Sequence, residues 1–134
     1  ADGELVGGNL ALIYALLGTK YSFDFKDKIL FIEDIGEKFY ALDRMIMSLE
    51  LAGVFRKIKG LIVGGMTLME DEKENMNYEE SFDEFSYKLI AERISKYDFP
   101  VIFGFPNGHI YDNRPLIIGA TISMTVGKKV EVKF

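Results

Sequence analysis

Ile29-Leu30-Phe31-Ile32-Glu33-Asp34-Ile35-Gly36 is the stretch on which the fold turns. Four consecutive apolar residues, closed by two acids and a glycine, suit a strand buried on both faces, as in parallel and mixed sheets. Two more short runs of this kind follow, Leu61-Ile62-Val63 before Gly64-Gly65 and Val101-Ile102-Phe103, each predicted as an inner strand. Between them the period is helical. Tyr40, Leu42, Met45, Ile46, Leu49 and Val54 predict an amphipathic helix over 37–54, and Phe82, Phe85, Leu89, Ile90 and Ile94 another that starts near the candidate cap Ser81. Upstream, Asn9 precedes Leu10, Ile13, Leu16 and Leu17 at helical spacing, and Gly18 stands where helices commonly stop, which predicts a short buried helix. After Pro115 the period becomes two: Thr121 to Val126, a Gly127-Lys128 turn, then Val130, Val132 and Phe134 on alternate positions, a C-terminal β-hairpin. Strand and helix alternate first and antiparallel strands follow, so the class is α/β with a mixed sheet and flanking helices.

The 134 residues suffice for one core and contain no long repeat or Pro-rich linker, so they read as a single domain, 1–134. Hydrophobic residues at 49% and charged residues at 28% exclude a disordered chain. The net charge of −5 provides no positive field for a phosphate backbone, and nucleic acid is not an expected partner. The absence of cysteine removes disulfides, thiolate zinc sites and a cysteine nucleophile. Apolar stretches fall well short of the roughly 20 residues that span a bilayer, so no transmembrane helix and no membrane partner are expected. Ala1-Asp2-Gly3-Glu4 has no basic region of the signal-peptide type.

The one histidine, His109, stands in Gly104-Phe105-Pro106-Asn107-Gly108-His109, just past the third predicted strand, while Glu33 ends another. Functional groups of open α/β sheets gather outside the carboxyl ends of strands. A carboxylate bound to one imidazole nitrogen would orient the ring and leave the other nitrogen as a general base. Equally, His109 reads as a turn residue and Glu33 as a solvated strand end. None of Ser22, Ser48, Ser81, Ser86, Ser95 and Ser123 sits in a nucleophile elbow, so a serine mechanism would need a nucleophile from elsewhere. Gly7-Gly8-Asn9 opens the first helix, where free N–H groups could hold a carboxylate or simply form a cap after a tight turn. The acidic run from Met69 to Asn75 lacks an EF-hand pattern and reads as a solvated loop. Asp43-Arg44 reads as a helix-face ion pair, and Asp112-Asn113-Arg114-Pro115 as a turn that brings Asn113 beside His109.

Taken together, Val6-Gly7-Gly8-Asn9-Leu10, Leu16-Leu17-Gly18-Thr19, Ile29 to Glu37, Asp43-Arg44-Met45 and Gly104 to His109 with Asn113 resemble, in that order, the C-terminal domain of the LD-carboxypeptidases. The resemblance covers nearly the whole chain. It implies a swivelling β/β/α-type domain and a serine peptidase whose Ser-His-Glu triad is split between two domains. The serine and oxyanion hole belong to an N-terminal domain absent from these residues; Glu33 and His109 match the triad glutamate and histidine. Gly7, Gly8 and Asn9 match the family's entry turn and, with Asn113, are candidate substrate contacts. The implied substrate is a peptidoglycan-derived tetrapeptide, a muropeptide losing its terminal D-alanine in cytoplasmic wall recycling. No metal or other cofactor is implied. The implied partners are the N-terminal domain and, as the family suggests, a second copy in a homodimer. The chain by itself is expected to be inactive. Three other readings compete: the microcin-immunity branch of the family, which cleaves a peptide–nucleotide antibiotic; a non-catalytic binding module; and a stand-alone acid/base enzyme using Glu33 and His109.

Overall fold

A computed structural model describes residues 1–69 and 82–134; the acidic run from Glu70 and the candidate cap Ser81 lie outside the described residues. The elements run β1 (Asp2–Asn9), α1 (Leu10–Leu16), β2 (Ile29–Ile35), α2 (Phe39–Leu51), a 3₁₀ turn at Val54–Arg56, β3 (Gly60–Thr67), α3 (Phe82–Ile94), β4 (Val101–Ile102), β5 (Thr121–Thr125) and β6 (Glu131–Lys133). They form one six-stranded sheet in the order β4-β3-β2-β1-β5-β6. The first four strands are parallel, and the β5–β6 hairpin joins antiparallel along the free side of β1.

Each helical crossover steps one strand in the same direction. Right-handed crossovers in that order put every helix on the same face of the sheet. The packing agrees. Leu30 and Ile32 of β2 and Leu61 and Val63 of β3 meet Leu10 and Ile13 of α1, Leu42, Ile46 and Leu49 of α2 and Ile90 and Ile94 of α3 in one large core. The alternate residues Ile29, Phe31 and Ile62 point to the opposite face and join Leu5, Ile122 and Met124 in a smaller core. The sheet curls over this second core: Met124 of β5 lies so close to Gly60 of β3 that a Cβ there would stand 2.3 Å from its sulfur. Burial of both clusters is the main drive to fold, at roughly 25 cal/mol per Å² of apolar surface removed from water.

The structure corrects the sequence reading in six places. Gly7 and Gly8, predicted as an entry turn, lie within β1, a strand the sequence reading did not contain. β2 continues through Glu33 and Asp34, both buried, so Glu33 is not a solvated strand end. Val101-Ile102 is the edge of the sheet rather than an inner strand, because among the described residues nothing pairs beyond it. Tyr40 and Phe85, predicted on core faces, are 61% and 48% exposed, and Phe39 takes the core position at the start of α2. The hairpin connection is residues 126–130 rather than a two-residue turn. Asp43 pairs not within its own helix but with Arg93 of α3, through two hydrogen bonds at 2.9 and 2.8 Å. Arg44 instead lies over the Tyr40 ring. Beyond α3, Lys96 donates a hydrogen bond to Glu50 of α2 and holds that carboxyl below its usual range.

Candidate active site

The carboxyl ends of β1, β2 and β3 open on the face opposite α1, α2 and α3. Along β2 the two faces alternate, so Glu33 follows Ile29 and Phe31 onto this face while Asp34 follows Leu30 and Ile32 toward the helices. The two neighbouring carboxylates therefore serve different purposes. Asp34, 1% exposed, accepts hydrogen bonds from the Asn9 side chain at 2.8 Å, the Ala11 N–H at 3.0 Å and the Ile35 N–H at 2.9 Å. It locks the start of α1 to the end of β2. Asn9 completes the cap, its Oδ1 accepting the Leu12 N–H at 3.1 Å.

Glu33 looks the other way. Its Oε2 accepts the His109 backbone N–H at 3.1 Å and lies 2.7 Å from His109 Nδ1. An ionised carboxylate only accepts, so Nδ1 is the donor of this contact, and in the neutral ring Nε2 then keeps its lone pair. The glutamate side chain is 7% exposed and the histidine 54%, so a buried anion orients a ring whose far edge meets solvent. That is the arrangement of a general base.

The loop carrying His109 is held by small residues on both sides. In β3 the register against β2 shifts between Ile32↔Val63 and Asp34↔Met66, a bulge that takes up Gly64 and Gly65. A Cβ on Gly64 would stand 2.4 Å from the Asn107 carbonyl oxygen, and one on Gly65 2.3 Å from the Ile110 side chain. Only glycines let residues 107–110 cross the sheet this closely. Gly108, at φ +114°, lies against Glu33 itself, and its N–H donates to Asn113 Oδ1 at 3.2 Å. The Asn107 side chain donates to the Arg114 carbonyl, closing the loop, and Asp112 pairs with Arg114 at 2.9 Å.

Glu33 and His109 face a cavity of about 390 Å³ with Gly7, Gly8, Phe31, Asn107, Asn113 and Leu116 in its walls. Of the predicted site residues, Glu33, His109, Gly7, Gly8 and Asn113 are thus together. Asn9 is not in the cavity wall; both ends of its side chain are engaged by α1 and Asp34. Sequence reasoning gave no role to Asp34 or Thr67, whose hydroxyl reaches the His109 carbonyl at 3.0 Å. The Gly64-Gly65 doublet inside an apolar strand was the available signal for a close approach at that point. Among the described residues no cluster of His, Cys, Asp and Glu could hold a metal ion, and no helix is long and apolar enough to cross a membrane.

Residues 2–124 match the family model of the LD-carboxypeptidase C-terminal domain. Among curated proteins, the chain is 34% identical over 134 residues to a probable murein peptide carboxypeptidase of Bacillus subtilis, covering 98% of this chain and 40% of the relative. It is 24% identical over 129 residues to the microcin C7 self-immunity protein of Escherichia coli, covering 96% of this chain and 35% of that protein. Among solved structures, the muramoyltetrapeptide carboxypeptidase from Oxalobacter formigenes superposes with a TM-score of 0.78 at 27% identity, over 98% of this chain and 43% of that one. The chain thus spans less than half the length of each.

Proposed function

The chain belongs to the LD-carboxypeptidase family as its C-terminal domain, and on that premise we propose that it supplies the glutamate and histidine of a Ser-His-Glu carboxypeptidase. The substrate class is the peptidoglycan-derived tetrapeptide, whose terminal D-alanine is removed in cytoplasmic wall recycling. The observation that carries the reading is the 2.7 Å contact of buried Glu33 with Nδ1 of His109, which leaves Nε2 without a partner among the described residues and open to solvent.

In this mechanism a serine from the N-terminal part of the full-length protein attacks the carbonyl preceding D-alanine. His109 Nε2 takes the serine proton as the O–C bond forms, then gives it to the departing amine as the C–N bond breaks. Water attacks the acyl-enzyme next, losing its proton to His109, which returns one to the serine. Glu33 keeps the ring in the reactive tautomer and stabilises the imidazolium in both halves. Gly7, Gly8 and Asn113 line the space beside the ring and are the proposed substrate contacts.

The test is D-alanine release from a muropeptide tetrapeptide by the full-length protein, its Glu33→Ala and His109→Ala variants, and the 134-residue chain alone. Each substitution is expected to lower kcat by about 10³-fold or more, and the isolated chain to be silent. A full-length protein that releases no D-alanine but cleaves a peptide–nucleotide conjugate would move the assignment to the microcin-immunity branch. Activity in the isolated chain would refute the split triad.

A further inference from the structure

Beyond β4 the chain runs alongside β3 as an irregular continuation of the sheet. The Phe105 N–H donates to the Val63 carbonyl at 3.0 Å, and the Gly65 N–H to the Asn107 carbonyl at 3.0 Å. A regular parallel ladder would continue with the His109 N–H on the Gly65 carbonyl and then the Thr67 N–H on the His109 carbonyl. Past the bulge, however, the main chain of Thr67 is turned the other way, toward β2, and its carbonyl accepts the Gly36 N–H at 2.9 Å. The missing rung is made by a side chain: the Thr67 hydroxyl donates to the His109 carbonyl at 3.0 Å. The His109 N–H is already bound to Glu33. Both peptide groups flanking the histidine Cα are therefore tied, one to β2 and one to β3, and these two ties set the direction in which the ring leaves the backbone.

We propose that Thr67 is a positioning residue for the reaction, its hydroxyl replacing a ladder hydrogen bond so that His109 presents Nε2 to the cavity in one orientation. The inference rests on the Glu33–His109 pair being the catalytic pair. Thr67 touches no reacting atom and acts only through the histidine backbone. Valine keeps the branched shape and removes the donor; serine keeps the donor and drops one methyl group.

Two readouts test it. In the full-length protein, Thr67→Val is expected to lower kcat for D-alanine release about tenfold with KM within about twofold of wild type, and Thr67→Ser to restore most of the loss. In the 134-residue chain His109 is the one histidine, so its ring NMR signals are free of overlap. The Nδ1 proton is expected to exchange faster with water in Thr67→Val and at the wild-type rate in Thr67→Ser. Thr67→Ala repeats the loss of the donor without the branched side chain if the valine variant does not fold. Wild-type kcat and wild-type ring signals in Thr67→Val, or equal damage from valine and serine, would overturn the proposal. If the wild-type full-length protein releases no D-alanine, the carboxypeptidase reading fails, and the ring signals alone still decide whether Thr67 positions His109.

Discussion

Gly108 lies against Glu33 with no room for a side chain. A Cβ there would stand 2.8 Å from Glu33 Oε2 and 2.9 Å from Glu33 Cβ, and its φ of +114° is one that L side chains rarely adopt. Gly108→Ala should therefore cost about 1–3 kcal/mol in urea denaturation and sharply reduce D-alanine release by the full-length protein. An alanine variant with the wild-type midpoint and rate would mean that Glu33 can retreat without losing the ring. At this scale the sequence was informative where residue type was unusual. A lone histidine in a glycine-rich run after a strand stands out, and its carboxylate partner closes a run of four apolar residues. Asp34 was not legible. An acid at the end of an apolar run looks solvated, and only the packing of the β1–α1 junction against β2 adds the Asn9 and Ala11 donors to the Ile35 N–H of β2 itself, which together let it be buried.

The junction of β1, α1 and β2 behaves as one unit because Asn9 serves two masters, capping α1 with Oδ1 and donating to Asp34 with Nδ2. Asn9→Ala removes both contacts and is expected to destabilise by about 1–3 kcal/mol. Asn9→Asp keeps the cap acceptor but sets a second carboxylate against Asp34 in place of a donor, so it should also destabilise. A neutral aspartate variant in the same denaturation series would show that the cap alone matters. The helices were readable from their 3.6-residue pattern: in α2 Leu42, Met45, Ile46 and Leu49 are buried as predicted, and only at its first turn does Phe39 take the inside place assigned to Tyr40. β1 was not readable. Asp2-Gly3-Glu4-Leu5-Val6-Gly7-Gly8-Asn9 has low intrinsic strand preference, and it is extended because β2 and β5 flank it. Gly7 shows how close that pairing is: a Cβ there would lie 1.9 Å from the Phe31 carbonyl oxygen. Likewise the glycines of β3 looked like a strand end, whereas they are the bulge over which the loop passes.

Across the molecule, stability is distributed unevenly. β2 is paired on both sides and buried over six of its seven residues, whereas β6 holds three residues at the sheet margin. Backbone amides of β2 should be the slowest to exchange with deuterated solvent and those of β6 among the fastest; comparable protection in the two strands would contradict this ordering of the sheet. The other margin is more consequential. β4 pairs with β3 only at Leu61↔Val101 and Ile62↔Ile102. Further along, the outer side of β3 is covered by the same 105–109 run that delivers His109. An uncovered, untwisted strand edge is a template for another chain. Whatever peels that run away disarms the histidine and bares the edge at once, so damage here leads to self-association and precipitation rather than to a soluble, inert protein.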